Sequence, residues 1–512
     1  MKVILAGFNV DTERLFEYKK RAQKLKEGTE KRDGQDDEIV EFLNELGTSE
    51  ELTPETFSAA YARISRDPRP VNELRHVAVE EVETARKLNE SIIFGMGHAS
   101  VAEHAVFNLD IIGISRLVTE ELQRTRLASY TEKSQRYITL TDDHVIPKEI
   151  IDAGLEGPFK DAVSELNKTY HKLYKGLLPL MDKKHPDLAN NKKGKIILDG
   201  WAKEDARYIV PLATKTQMGM TANARALEMT IRRLSASELD EARMLAKSIY
   251  DAAYPHAPSL IKYAKGTDYD TKSDALIKES FLTNTPEKPI VGEIDNFSLK
   301  LIDHTKDGDV RLAAALIFPN TNLNYASVFD SVKRMSQDNL KKIIESSFKY
   351  MESYDRALRE FEMVNLTFEA VMSSSCFAQL KRHRMATIIS QNYDTDLGVE
   401  IPGTILEANL QDDFTKAVAI SEEVYEKING ASPQSAPYIL TNAHRLRVLI
   451  FFNLRELYHI ARIRIDKTAQ WDIRNLSTAM VKMAKEVFPI GTALACSKDT
   501  FEETKKSLNL NK

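Results

Sequence analysis

Two arginine-rich segments carry the side chains best suited to bind an anion. They are RTRLASYTEKSQRY, residues 124–137, and RHRMATIISQNY, residues 382–393. In the first, Ser134, Gln135 and Arg136 place a hydroxyl, backbone N–H groups and a planar guanidinium next to one another. Such donors bind phosphate through charge-assisted hydrogen bonds. The pattern predicts a monophosphate site, while a salt-bridged surface strand would use the same residue types.

Another group of cations falls on one face of a predicted helix. Arg455, His459 and Arg462 follow a spacing of i, i+4 and i+7. Like charges stacked on one helical face repel one another unless an anion or a carboxylate lies against them. The face therefore predicts either a bound phosphate or ion pairs with acidic residues of a neighbouring element.

Metal and thiol chemistry find little support in the sequence. His98 and His104 in GHASVAEH are six positions apart, which does not match the i, i+4 histidine pair of a zinc helix. The chain has two cysteines, too few for a multi-cysteine zinc site. Cys376 lies in an apolar run that is typical of a buried, inert thiol. We therefore expect no metal site and no cysteine nucleophile.

The chemistry-bearing segments recur in the same order, which indicates a tandem duplication. Besides the arginine segments, NARALEMTIRR at 223–233 is matched by NLRELYHIARIR at 453–464, and each precedes a helix-like stretch. Such internal repetition places one structural unit in each half. We predict a first domain over residues 1–265, a linker over 266–293 and a second domain over 294–512.

Around these segments the sequence predicts mixed α and β structure in which helix dominates. Strands or buried runs are predicted at 107–114 and 310–318. Helical spacing of apolar residues occurs at 238–250 and 469–487. An amphipathic helix followed by a basic loop is predicted at 171–196 and accounts for extra chain in the first half.

Composition limits the class of protein. The chain has 512 residues, 42% of them hydrophobic, and a formal net charge of −5, which excludes a generally basic nucleic-acid coat. Its longest purely apolar stretch, near 448–452, is far shorter than the roughly 18 residues of a spanning helix. The N-terminus meets charged residues too early for a signal peptide, and a charged linker is predicted at 26–38. We expect a soluble, cytoplasmic protein.

The arginine segments and their neighbours resemble a known family, the flavin-dependent thymidylate synthases. RTRLASYTEKSQRY and RHRMATIISQNY are similar to that family's signature, which is Arg-His-Arg followed by a serine and, shortly after, an arginine. GHASVAEHAVFNLDIIGISR is similar to the stretch before the signature. DARYIVPLATKTQMGMTANARALE and NLRELYHIARIRIDKTAQWDIR are similar to the family's C-terminal region. The resemblance covers the functional segments of both halves.

The resemblance implies an α+β fold with two tandem thymidylate synthase-like domains, each with a mixed sheet and long helices. It implies conversion of dUMP to dTMP, with methylenetetrahydrofolate as the one-carbon donor and FAD, reduced by NADPH, as the hydride donor. Family members are homotetramers with sites between subunits, so we expect a homodimer of this chain that forms a pseudo-tetramer of domains. The expected partners are dUMP and folate, with no membrane and no nucleic acid.

The resemblance also assigns roles by position in the matching motifs. The flavin positions of the first half are matched by His98, Ser100, Glu103, Arg124, Arg126, Asn223 and Arg225. Those of the second half are matched by Arg382, His383, Arg384, Asn453, Arg455 and His459. The dUMP positions are matched by Glu132, Ser134, Gln135, Arg136, Arg207, Gln379 and Arg464. Among these, Ser134, Arg136 and Arg464 are expected to serve catalysis directly.

Each half departs from the family pattern where the other half keeps it. The first half has Thr125 in place of the signature histidine and Glu121 in place of a family glutamine. The second half has Asn392 in place of the phosphate-loop arginine. We expect the best composite site to join the loop of the first half with the glutamine and Arg464 of the second. That composite is expected to lack an arginine at Pro437.

Other functions stay open on the sequence alone. Thr125 and Glu121 favour a catalytically altered relative that binds flavin or a pyrimidine nucleotide as a sensor or scaffold. C5 alkylation of another uridine nucleotide would use the same site. RNA binding through the arginine segments is a weaker alternative, because the net charge is negative and few aromatic residues lie among the basic ones.

Overall fold

Two four-stranded sheets organise the residues that this computed structural model describes, 1–29, 52–140, 142–284 and 299–510. The first sheet holds β1 (Lys2–Phe8), β2 (Val106–Ser115), β3 (Ala128–Glu132) and β4 (Lys215–Asn223). The second holds β5 (Leu299–His304), β6 (Asn365–Ser373), β7 (Thr387–Ser390) and β8 (Arg445–Asn453). Their strand orders, β1-β2-β4-β3 and β5-β6-β8-β7, are the same topology used twice. The predicted tandem duplication is confirmed.

Alternating residue types explain the central strands. In β4, Met218, Met220 and Ala222 are buried while the residues between them face outward. In β8, Val448 and Ile450 are buried in the same alternating way. Because successive side chains of a strand point to opposite faces, one face of each sheet joins the core. That core is continuous between the halves.

Helices cover the sheets and link the strands. Those of the first half are Thr12–Thr29, Glu55–Arg63, Val71–Glu80, Val82–Glu90, Arg116–Leu122, Lys148–Asp152, Glu156–Lys184, Pro186–Ala189, Lys192–Ala206, Ala224–Ser235, Asp240–Ala253 and Asp268–Asn284. Those of the second half are Gly308–Ile317, Tyr325–Lys333, Gln337–Ser346, Ser374–Leu380, Gly403–Glu407, Gln411–Ala431, Leu454–Arg464, Trp471–Val487 and Phe501–Ser507. None of the helices in the described ranges has the length and apolarity needed to cross a bilayer.

The halves meet through matching segments related by a pseudo-two-fold axis. Pro211 and Thr441 form an antiparallel bridge. Around it, Leu212 N donates to Leu440 O at 2.8 Å, and Ala443 N donates to Tyr208 O at 2.8 Å. Matching segments that pair reciprocally are typical of an isologous contact. The internal interface therefore resembles one between two subunits.

The α+β class is confirmed, with differences of detail. Every strand pairing among the described residues is antiparallel, so the expectation of a mixed sheet was wrong. Residues 310–318 were expected as a strand or a buried run, and they lie mostly in the helix Gly308–Ile317, in which Leu312, Ala313 and Ala314 are buried. An apolar run of that length does not distinguish a buried helix from a strand. The prediction of a strand at 107–114 is confirmed by β2.

The predicted linkers are only partly described. Residues 26–29 belong to the helix Thr12–Thr29, and 30–38 lie outside the described residues. Within 266–293, the helix Asp268–Asn284 replaces the expected loop, and 285–293 lie outside the described residues. The domain limits stay a prediction.

The helices predicted at 238–250, 469–487 and 171–196 are confirmed. The basic stretch at the end of 171–196 is largely helical rather than a loop.

Candidate functional site: a cationic pocket between the halves

The loop that follows β3 brings the predicted phosphate donors to the interface between the halves. Ser134 Oγ accepts a hydrogen bond from Arg136 N at 3.1 Å, which bends the loop and leaves the hydroxyl proton free to donate. Arg136 forms an ion pair with Glu204 and donates to Thr468 O of the second half at 3.3 Å. Gln135 Oε1 accepts from Asn442 Nδ2 at 3.1 Å. The loop is therefore held by both halves.

Arg207, Gln379 and Arg464 lie against the same interface. Arg207 is buried and donates from Nη2 to Ser375 Oγ of the second half at 2.9 Å. Gln379 Nε2 donates to Gln470 Oε1 at 3.2 Å. Arg464 Nη2 donates to Gln379 O at 3.0 Å. The expected gap at Pro437 does not arise in this composite, because Arg207 supplies the guanidinium from the first half.

Glu132 is the carboxylate around which these cations gather. Its side chain is only 6% exposed. It lies 3.5 Å from Arg116 Nη1, 3.7 Å from Arg382 Nη2 and 3.1 Å from Gln123 Nε2. Burial raises the pKa of Glu132, but Arg116, Lys381 and Arg382 outweigh burial and leave that pKa below its ordinary value. Glu132 is therefore charged at neutral pH.

The pocket holds more positive charge than its carboxylates balance. Six cations, Arg116, Arg136, Arg207, Lys381, Arg382 and Arg464, gather with three carboxylates, Glu120, Glu132 and Glu204. Burial, together with Arg382 and Arg136, lowers the pKa of Arg464 to about 10. Burial also lowers the pKa of Arg207. Cations that outnumber the neighbouring carboxylates, two of them (Arg116 and Arg207) buried, are stabilised by a bound anion.

His383 is oriented by its neighbours rather than placed to hold a metal. Its Nδ1 lies 2.9 Å from Glu456 Oε1, and Arg464 Nε donates to its Nε2 at 3.0 Å. With Nε2 accepting, Nδ1 carries the proton and donates to Glu456. His383, Glu456 and His459 are close enough to suggest a metal, but the adjacent Arg464 guanidinium opposes a cation there. Glu456 and His383 form a chain of hydrogen bonds that orients the Arg464 guanidinium.

The pseudo-symmetric copy of this pocket, which takes residues from the opposite halves, is not equivalent to it. Arg233 occupies the place of Arg464, since its Nη2 donates to Glu121 O at 2.9 Å and to Thr125 Oγ1 at 3.1 Å. Pro437 stands in the place of Arg207 and supplies no guanidinium. Tyr393 is buried there and donates to Glu120 Oε1 at 3.1 Å. The second copy of the pocket therefore lacks a counterpart of Arg207.

Strand register shows where the second loop is shorter. Glu132 pairs with Met218, and Ser390 pairs with Val448, the residue at the corresponding place in β8. Ser390 is therefore the counterpart of Glu132 and not of Ser134. The shared letters Ser-Gln-x-Tyr are offset by two positions in space, so Asn392 follows the counterpart of Lys133 and does not stand in the place of Arg136, as was expected. The second loop is shorter between Gln391 and the bridge of Val399 with His444.

The flavin positions of the first half converge at one end of the first sheet. Asn223 ends β4, pairs with Val106 at the start of β2, and caps the helix Ala224–Ser235 through a 2.8 Å bond from Ala226 N. Arg225 Nη1 lies 2.5 Å from Glu103 Oε1. The segment with His98 and Ser100 leads into β2, and the turn with Arg124 and Arg126 leads into β3, and these two strands flank β4. The exposed guanidinium groups of Arg124 and Arg126 at this end of the sheet are suited to bind a diphosphate.

The second half repeats part of that arrangement. Asn453 caps the helix Leu454–Arg464 through a 2.9 Å bond from Glu456 N, and Arg455 Nη1 lies 2.7 Å from Glu362 Oε1. Arg384 donates to Ala128 O of the first half. Arg126 returns the contact, with Nη2 donating to Thr387 Oγ1 at 3.0 Å. His459 is exposed and lies beside His383, with ring centroids 5.5 Å apart.

Sequence reasoning missed several residues of these sites. Arg233 lies six positions before Leu239, as Arg464 lies six before Gln470, so the spacing within the repeat could have revealed it. Glu362 precedes β6 by three residues, as Glu103 precedes β2, although the surrounding motif is absent. Lys381 carried no pattern beyond its position before Arg382.

This fold and site define a class of protein: two tandem α+β domains with an anion pocket built between them. A model of the family described as thymidylate synthase complementing protein matches residues 49–259 and 300–490. The chain belongs to that family, the flavin-dependent thymidylate synthases.

Similar proteins fall into whole-chain and half-chain matches. A UPF0159 protein of Thermoplasma acidophilum is 23% identical over 84% of this chain and 93% of its own. A UPF0159 protein of Chlamydia muridarum is 24% identical over 79% of each chain. A flavin-dependent thymidylate synthase of Clostridium tetani is 32% identical over 41% of this chain and 82% of its own. The duplicated arrangement therefore extends to relatives that carry no activity in their names.

Proposed function

We propose that this chain is a thymidylate synthase that methylates dUMP reductively, with one nucleotide site in the pocket between its halves. Methylenetetrahydrofolate would supply the carbon and FAD, recharged by NADPH, the hydride. The observation that carries the proposal is the convergence of Arg136 and Arg207 from one half with Gln379 and Arg464 from the other.

The pocket suits a nucleotide monophosphate on chemical grounds. A phosphate dianion would meet the Arg136 guanidinium and the Ser134 hydroxyl on one loop, with Arg207 close behind. Gln379 offers an amide and Arg464 a planar guanidinium, which are donors suited to the carbonyl oxygens of a pyrimidine. The surplus of cations over carboxylates would attract the anion and stabilise it in the pocket.

The flavin positions fit FAD by the chemistry of their donors. Arg124, Arg126 and Arg225 provide guanidinium groups at the end of the first sheet, and Arg382 and Arg384 provide two more from the second half. These groups would hold the flavin diphosphate through bidentate hydrogen bonds. When bound, FAD would supply hydride transfer, which no side chain of the chain can perform. The protein would contribute binding and orientation.

The function is tested by spectroscopy and product analysis together. Purified protein incubated with FAD should retain the visible absorption of oxidised flavin after gel filtration. With dUMP, methylenetetrahydrofolate and NADPH it should form dTMP. Protein that binds FAD and dUMP but forms no dTMP would instead support a nucleotide sensor. Protein that takes up neither would overturn the proposal.

The cysteines should be dispensable for this reaction. Burial raises the pKa of the Cys376 thiol well above its ordinary value, and burial also raises the pKa of Cys496. A neutral thiol is a poor nucleophile. The Cys376→Ala, Cys496→Ala double variant should form dTMP at a rate within about twofold of wild type. Its melting temperature, compared with that of wild type, checks that the variant is folded. Loss of activity in a folded double variant would indicate a cysteine mechanism.

We also propose that two chains associate. Leu449, Phe451 and Ile389 project from the outer face of the second sheet with 37%, 44% and 58% of their surface exposed. Neighbouring apolar side chains on an open sheet face favour contact with another protein surface. Light scattering should give twice the chain mass, and Phe451→Glu should reduce it. A wild-type monomer with full activity would contradict the proposal.

A further inference from the structure

Asn442 is a buried amide in the contact between the halves, and the resemblance assigns it no role. The residue is 1% exposed. It lies where the first half has Leu212, because Asn442 N donates to Val210 O at 3.0 Å and Leu212 N donates to Leu440 O at 2.8 Å. The same backbone arrangement therefore accepts an apolar side chain, so folding alone does not require an amide there.

The contacts of Asn442 fix the orientation of its amide. Its Nδ2 donates to Arg207 O at 2.9 Å and to Gln135 Oε1 at 3.1 Å. A backbone carbonyl can only accept, so the group that faces Arg207 O is the NH2 of the asparagine and not its oxygen. The second N–H of that group faces Gln135, which must then turn its own oxygen toward Asn442.

The orientation of Gln135 follows from that of Asn442. With Oε1 held by Asn442, the Nε2 protons of Gln135 donate to no protein atom among the described residues. Gln135 lies between Ser134 and Arg136, on the turn proposed to enclose the phosphate. An amide turned the other way would present acceptor lone pairs in place of these donors, and an anion would be repelled by them.

The other amide atom of Asn442 argues against a purely structural role. Its Oδ1 is buried and has no hydrogen-bond partner within the described ranges. A buried acceptor without a partner destabilises the folded state, and a leucine would not carry that penalty. Without Asn442, Arg207 O would keep its hydrogen bond from Val210 N at 3.0 Å. The donors of Nδ2, and not the stability of the interface, therefore account for an asparagine at this position.

We infer that Asn442 is a positioning residue of the nucleotide pocket, which turns the Gln135 amide so that Nε2 donates to the phosphate. The inference rests on the proposed function, because a nucleotide monophosphate is the ligand that this turn would receive. It deepens that function, since it gives the second half control over a donor of the first half. The pseudo-symmetric copy, with Leu212 in this place, lacks such a donor pair.

Two substitutions and their combination test whether Asn442 acts through Gln135. Asn442→Leu copies Leu212 and should weaken dUMP binding about tenfold, the size expected when a hydrogen bond to a charged group is lost. Gln135→Ala removes the amide itself and should weaken binding by about the same factor. In the double variant, Asn442→Leu should cause no further loss, because residues that act through one shared contact are not additive.

Asn89→Leu is the matched control. Asn89 is also fully buried, and its Nδ2 donates to Glu55 O at 3.1 Å and to Ser259 Oγ at 3.2 Å. Its Oδ1 likewise has no partner in the described part of the chain. The variant should keep wild-type affinity for dUMP, whatever its stability. Asn442→Ala, which removes the same donor with a smaller side chain, replaces Asn442→Leu if melting temperatures show that leucine prevents folding.

Isothermal titration of the full FAD-loaded chain with dUMP measures these affinities. If a folded Asn442 variant or Gln135→Ala binds dUMP as tightly as wild type, the inference is overturned while the proposed function stands. If the two losses multiply in the double variant, Asn442 acts by a route other than Gln135, and the inference is equally wrong. If wild type binds no dUMP, the proposed function fails and the inference fails with it.

Discussion

Replacing Arg136 by alanine is expected to weaken dUMP binding by about one to two orders of magnitude. Hydrogen bonds to a charged group contribute roughly 1.5–3 kcal/mol, and Arg136 and Ser134 share one turn that can enclose a phosphate. The loss should also leave Glu204 without its ion-pair partner inside the pocket. Titration calorimetry on wild type and variant measures the change directly.

Asn392→Ala is the matched control for Arg136→Ala. Asn392 is exposed, neutral and lies on the shortened loop of the second half. Register places Ser390 at the position of Glu132, and the chain that follows is shorter than in the first half. Its removal should leave dUMP affinity unchanged. Equal losses from the two substitutions would mean that the second loop binds nucleotide and that the asymmetric account is wrong.

Arg464→Ala is expected to have an effect of similar or larger size, on binding and on dTMP formation together. Arg464 connects His383 Nε2 and Gln379 O, so its removal disturbs the histidine, the glutamine and the charge of the pocket at once. A loss of about a hundredfold in kcat/KM corresponds to roughly 2.7 kcal/mol of transition-state stabilisation.

Arg233→Ala removes the counterpart of Arg464 in the pseudo-symmetric copy of the site. Arg233 makes the corresponding contacts with Glu121 O and Thr125, but its copy of the site has Pro437 where the first copy has Arg207. The variant should lose some stability and keep its affinity for dUMP. A comparable loss of dUMP binding in Arg233→Ala and Arg464→Ala would show that both pockets function.

The sequence allowed the duplication, the α+β class and the composite of the two halves to be predicted, because each rests on residue types repeated in order. The antiparallel pairing of the strands could not be predicted in the same way, because buried strands have apolar runs in parallel and in antiparallel sheets. The sequence did not decide between a strand and a buried run at 310–318 for a related reason, because a short apolar run fits a helix equally well.

Parts of the site depend on contacts between distant segments and left no local pattern. Lys381 gains its place only when the helix Arg116–Leu122 packs across the interface. The pairing of Ser390 with Val448 shows that the letters Ser-Gln-x-Tyr of the two halves do not superpose, which their sequence alone did not reveal. The arginine that was expected to be missing at Pro437 is supplied by Arg207. A site between the halves needs this arginine from one half only, and here the first half provides it.

The number of dUMP molecules bound per chain tests the account most directly. One pocket with Arg136 and Arg207, and a second copy without a counterpart of Arg207, predict a stoichiometry of about one, measured by isothermal titration of FAD-loaded protein of known active concentration. Arg136→Ala should remove that single binding event at concentrations that saturate wild type. Two equivalent sites per chain, or no binding by a folded, flavin-loaded protein, would contradict a single nucleotide site built between the halves.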